Sequence, residues 1–139
     1  MDQNKIKSTI EKIKESGAFF HKHLDKGDFV FNARDTTDEK SIIGGSWIEY
    51  WKKMAGVKLP VICPLCGSPL NERDADGCHV IFPKGIEAMT GSLNNKIDRQ
   101  KYIIPGHHKC NCQFGQLIQI KYPIDAFLAF SKITNLIDR

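Results

Sequence analysis

The chain contains no apolar run approaching the roughly 18 residues that a membrane-spanning helix needs. Its opening stretch, MDQNKIKSTIEKIKESG, is too charged for a secretion signal. The sequence therefore predicts neither a membrane nor a secreted protein, and a cytoplasmic location. It also lacks internal repeats, low-complexity segments and a charged tail. The net charge of +4, from 20 basic and 16 acidic residues, is spread evenly along the chain. Nucleic acid is thus permitted as a partner but not demanded. Five cysteines are an odd number, which fits poorly with a disulfide framework. What remains is an ordinary globular balance, 41% hydrophobic and 26% charged. A length of 139 residues predicts a single domain over 1–139. Such a chain can bury a real core, so a metal would organise a site without supplying the whole fold.

Ile6, Ile10 and Ile13 recur at helical spacing, which predicts an amphipathic helix over 4–16, ended by Gly17. A short strand is expected around 28–32, followed by a polar loop from Asn32 to Lys40. Ser46 and Glu49 carry the spacing of a capping box, predicting a short helix to about Ala55 with Trp47 and Trp51 in the packing. Residues 1–58 are thus expected to form a mainly helical extension. From Pro60 to Cys112 the text changes: every cysteine and three of the five histidines lie there. After Pro123, the apolar spacing of IDAFLAFSKITNLID predicts an amphipathic helix closing the chain over 116–139.

Cys63-Pro64-Leu65-Cys66-Gly67 is the strongest local signal. Two thiolates separated by two residues can hold one zinc if the backbone turns tightly, and Gly67 permits that turn. Thioredoxin-like proteins use the same pair, but no strand–helix unit with an apolar helix follows it here. His107 and Cys110 repeat the two-residue separation, so a helix start can present both to one ion. Cys63, Cys66, His107 and Cys110 are therefore expected to form a closed zinc site of three cysteines and one histidine, with His108 or Cys112 as competing ligands. Cys78 and Cys112 are expected to be small buried residues, and His21 and His23 to lie on the surface without a ligand partner.

The order Cys63-x-x-Cys66-Gly67, then Asp76-Gly77-Cys78-His79-Val80-Ile81-Phe82-Pro83, then Tyr102 to Asn111 resembles the HNH nucleases of the His-Me finger group. The resemblance covers about residues 60–115 and implies an α+β fold. It would be a treble-clef zinc finger (zinc knuckle, β-hairpin, helix) flanked by amphipathic helices. It further implies that His79 is the general base on the water attacking a phosphodiester, with a divalent ion such as Mg2+ neutralising the phosphate. Asn111 matches the residue beside the second ligand pair and Pro83 the proline closing the strand. The chain departs from the family pattern at Cys78, where an acid or histidine ligand usually stands. Asp76 would need a turn at Gly77 to substitute for it.

Two functions follow as expectations. One is a zinc-stabilised, metal-dependent DNA endonuclease with His79, Asp76 and Asn111 at its catalytic centre. Lys96, Arg99 and Lys101 would grip the backbone there, while Lys52, Lys53 and Lys58 form a second basic cluster. The other is a non-catalytic zinc module binding nucleic acid or a protein partner as adaptor or inhibitor. Phe19, Phe20, Trp47 and Trp51 would then be candidates for an exposed contact patch.

Overall fold

A computed structural model describes residues 3–15, 20–33, 40–83, 101–113 and 115–130. Helix α1 (Gln3–Glu15) leads into strands β1 (His21–Leu24) and β2 (Phe29–Asn32), then helix α2 (Trp47–Ala55). Strands β3 (Val61–Ile62) and β4 (Pro69–Leu70) form a small ribbon of their own. After a single 3-10 turn come β5 (Ala75–Ile81), β6 (Tyr102–His107), a one-turn helix α3 (His108–Asn111), β7 (Leu117–Gln119) and β8 (Ile124–Leu128). All but the small ribbon join one antiparallel sheet in the order β1-β8-β6-β5-β2-β7. The protein is thus a mixed helix–strand fold built on a curled antiparallel sheet. No helix among the described residues is long and apolar enough to cross a membrane.

Period two along the strands divides the interior into two cores. Cys78 and Val80 of β5, Ile104 of β6 and Ala126 of β8 face one side, with Cys63, Leu65 and Cys110. Ile103 and Phe127 face the other, where Ile13 of α1 and Trp47, Tyr50, Trp51 and Met54 of α2 cover the sheet. The α2 residues recur at helical spacing, so one stripe is buried. Trp51 Nε1 donates to the Asp125 carbonyl at 2.8 Å, and the Tyr50 hydroxyl donates to the Leu128 carbonyl.

The expected capping of α2 is present: Ser46 Oγ accepts from the Glu49 backbone N–H at 3.3 Å. Gly56, at φ 70, closes the helix with its N–H on the Lys52 carbonyl. Ser46→Ala is expected to lower stability by about 0.5–1 kcal/mol in urea unfolding, the lower part of the range for caps because this one is exposed.

Three expectations need correction. Residues 124–128 form β8 rather than the start of a closing helix. That strand lies between β1 and β6 in the interior of the sheet, and its apolar residues Ile124, Ala126, Phe127 and Leu128 have a spacing that also suits a helix. Residues 131–139, the rest of the expected helix, lie outside the described residues. Residues 1–58 are not an appended helical piece, because β1 and β2 are strands of the main sheet. Trp47 and Trp51 are core residues, 6% and 2% exposed, so neither belongs to an exposed patch. Phe20 is half-buried against Phe127, and Phe19 and Gly17 lie outside the described residues.

The outer strand β1 is fastened to β8 by charge. His23 Nδ1 and His21 Nε2 lie 2.8 and 3.0 Å from Asp125 Oδ1. The hydrogen bond to Asp125 raises the His23 pKa above its ordinary 6.5. Burial raises Asp125, but its bonds to His23 and His21 outweigh that and leave it below 3.8. A raised histidine contributes stability that is full below 6.5 and fades as pH rises through its folded value. A lowered carboxylate contributes stability present above 3.8 and lost on acidification. The stability difference between wild type and His23→Gln is therefore expected to be largest between 3.8 and 6.5 and to shrink as pH rises through the raised folded-state value of His23. Urea midpoints across a pH series measure it.

Candidate metal centre

The first ligand arm is the turn joining β3 to β4. Cys63 N donates to the Ser68 carbonyl and Gly67 N to the Cys63 carbonyl, both at 2.8 Å. Gly67 sits at φ 81, a left-handed conformation that glycine adopts without the cost of a Cβ. Both cysteines are thereby turned inward from one tight loop. Lys121 N also donates to the Pro64 carbonyl at 2.7 Å, pinning the turn from outside.

The second arm is the junction of β6 and α3. His107 ends the strand and stands at the helix N-cap, and Cys110 follows one turn later. Asn32, 1% exposed, fastens this helix by donating from Nδ2 to the Asn111 carbonyl at 2.9 Å. Gly106 lets the arms meet: a Cβ there would lie 2.7 Å from Cys78 Sγ and 3.0 Å from Leu65 Cδ1.

One ligand atom from each of Cys63, Cys66, His107 and Cys110 lies within 4.8 Å of all the others. Cys66 Sγ and His107 Nδ1 are 3.2 Å apart. A tetrahedral zinc with bonds of about 2.3 Å to sulfur and 2.0–2.1 Å to nitrogen spaces its ligands by about 3.5–3.8 Å. The four donors are close enough together to share one ion, and the cluster can hold a metal ion such as zinc. His107 Nε2 lies 3.0 Å from the Pro69 carbonyl. A carbonyl only accepts, so the ring proton belongs on Nε2, leaving the Nδ1 lone pair for the ion. Two residues named as competing ligands stand outside the cluster: His108 is paired elsewhere, and Cys112 is exposed rather than buried.

The thiols show what an ion would change. Burial pushes Cys63 up, and burial with the nearby charges of Cys63 and Cys66 pushes Cys110 up to about 12. Cys66 is also raised by burial, but the Ser68 N–H and the side chains around it outweigh this and bring it down to about 7. Protein groups alone favour one thiolate and oppose the rest. A divalent cation removes that opposition, since coordinated thiols lose their protons outright. Cys78, fully buried beside the cluster, is held far up by burial and by the Asp76, Cys63 and Cys110 charges, and it stays a packing residue.

The residues expected to catalyse do not share one place. Asp76 and Asn111 come together, Asn111 Nδ2 donating to Asp76 Oδ2 at 3.1 Å. The same oxygen lies 2.7 Å from His108 Nδ1, a partnership the sequence did not suggest. His79 stands three positions beyond Asp76 on an unbroken strand, so it faces the opposite side of the sheet. It is 2% exposed, with its ring 4.9 Å from that of Trp47 in an edge-on contact. Gly77 makes no turn; it is a strand residue over which α2 passes, and a Cβ there would lie 2.6 Å from Ile48 N.

Among the basic residues, Lys52 is committed to the fold, its Nζ 2.7 Å from Glu72 and 3.0 Å from Glu49. Lys101 precedes β6, while Lys96 and Arg99 lie outside the described residues. Sequence reasoning also missed Asn32 and the Pro69 carbonyl, and the only signal for Asn32 was a polar residue ending an apolar strand. Compared with models of protein families, with curated proteins and with solved structures, the chain matches none.

Proposed function

We propose that the chain is a zinc-stabilised, HNH-like treble-clef protein that acts as a binding module rather than a hydrolase. The order of parts supports the treble clef: knuckle β3–β4, hairpin β5–β6, then α3, with a ligand pair at the knuckle and another at the helix start. Zinc held by Cys63, Cys66, His107 and Cys110 would cross-link two stretches far apart in sequence and supply folding energy.

The place of His79 carries the choice of a module. A general base must come within hydrogen-bond reach of the water it deprotonates. A ring 2% exposed, under Trp47 and across the sheet from Asp76 and Asn111, does not offer that reach. Nor do the three residues make an oxygen-rich pocket for Mg2+. The Asp76 oxygen is already shared by two nitrogen groups.

DNA is the partner class that the charge favours, through the excess of +4 and the cluster Lys96, Arg99 and Lys101. Duplex binding should then weaken steeply with salt, the logarithm of the affinity falling by about 0.9 per phosphate contact for each decade of salt. Replacing those three residues by alanine should flatten that slope. No binding at low salt would turn the reading toward a protein partner.

The endonuclease reading stands second, supported by the motif order around His79. Plasmid nicking with magnesium, manganese or nickel separates the two. The module reading predicts no cleavage, whereas cleavage abolished by His79→Ala would replace it.

A further inference from the structure

We infer that the thiolate centre is also a redox switch, in which an oxidant of the hydroperoxide class joins Cys63 to Cys66 as a disulfide and frees the ion. The inference rests on the zinc reading above. The three thiols are not equally reachable: Cys63 and Cys110 are 0% and 6% exposed, whereas Cys66 is only half-buried. Gly67, beside it, has no side chain to shield it, and even a Cβ there would meet nothing nearer than Lys121 Cβ at 3.9 Å. Oxidation follows thiolate character and exposure. Coordination keeps every ligating sulfur a thiolate, so exposure decides and Cys66 is the point of entry.

The chemistry closes within one turn of the chain. The Cys66 thiolate attacks hydrogen peroxide and takes one oxygen as a sulfenic acid, while hydroxide leaves. The Cys63 thiolate then attacks that sulfur, forming the S–S bond and expelling a second hydroxide. The two sulfurs give up two electrons in all, and the peroxide accepts both. Cys63 rather than Cys110 resolves the sulfenic acid because it shares the β3–β4 turn with Cys66. Cys110 is held apart on α3, which Asn32 fastens from β2. The ligand atoms lie within 4.8 Å of one another, so the pair has only a short gap to close. His107 and Cys110 then remain as two donors, where a structural zinc site needs four. The knuckle is thereby uncoupled from α3. The helix-covered core contains none of the four ligands and remains as a frame for re-forming the site.

Hydrogen peroxide titrated into zinc-loaded full-length protein tests the switch, with a chromogenic chelator reporting free zinc. One zinc should be freed per chain for each equivalent of peroxide consumed. Peptide mapping after alkylation of the denatured chain should find Cys63 joined to Cys66, with Cys78, Cys110 and Cys112 still thiols. Cys112→Ser should release zinc at the wild-type rate, since that exposed thiol lies outside the cluster. Dithiothreitol with fresh zinc should restore one zinc per chain and the original urea midpoint. Zinc that stays bound in excess peroxide, a disulfide joining other cysteines, or release slowed in Cys112→Ser would overturn the switch alone. A chain that carries no zinc at the start would contradict the zinc reading, and the switch with it.

Discussion

Cys66→Ser is expected to strip the ion from the chain and cost most of the roughly 5–15 kcal/mol that holds a domain folded. The scale follows from structural zinc in finger peptides, whose apparent binding energy of about 10–16 kcal/mol is folding energy. Here the ion would join the β3–β4 turn to the start of α3, and its four ligands are partly or fully buried beside core residues. Losing one thiolate leaves the others crowded without a cation to share. The helix-covered core on the opposite face should hold some structure, so partial collapse rather than a fully open chain is the expected product. Zinc content and the urea midpoint measure it. Cys112→Ser is the matched control: that thiol is exposed and outside the cluster, so its effect should fall within about 0.5 kcal/mol.

Gly77→Ala is expected to be the most damaging single methyl group that can be added to the sheet, at about 3 kcal/mol, the upper end for overpacking. The added carbon would meet the α2 backbone at Ile48 N, 2.6 Å away. Backbone cannot rotate aside as a side chain can, so the helix start must lift from β5. Trp47 would lift with it and uncover His79. A lower urea midpoint with faster hydrogen exchange at β5 and α2 is the expected outcome. An unchanged midpoint would mean that α2 does not lie where the close approach places it. The same variant bears on function: uncovering His79 without gaining nuclease activity would strengthen the module reading.

Much of the metal centre was legible because its chemistry is local. Two residues separate Cys63 from Cys66 and His107 from Cys110, and Gly67 announces the turn between them and β4. The α2 cap was legible for the same reason, since Ser46 and Glu49 meet within one helical turn. The misread features depend on partners far away in sequence. Whether IDAFL becomes helix or strand is decided by β1 and β6 flanking it on either side. His79 was expected to be a general base because nothing in its own strand shows that α2 packs over it. His21 and His23 looked unpartnered because Asp125 stands 102 residues beyond His23. Spacing within a turn reveals ligands; it says nothing of what a sheet brings across.

The proposed module rests on one requirement, an ion held by the three cysteines and one histidine of the cluster. Cobalt(II) substitution examines it directly, because sulfur-to-cobalt charge transfer grows with each thiolate bound. One equivalent should bind, with the spectrum of tetrahedral coordination by three sulfurs and one nitrogen. That absorption should be lost in Cys110→Ser, as the ion is in Cys66→Ser, and stay unchanged in Cys78→Ala and Cys112→Ser. A chain that binds cobalt without charge-transfer absorption, or that keeps its full stability after chelation of every metal, would be incompatible with such a centre.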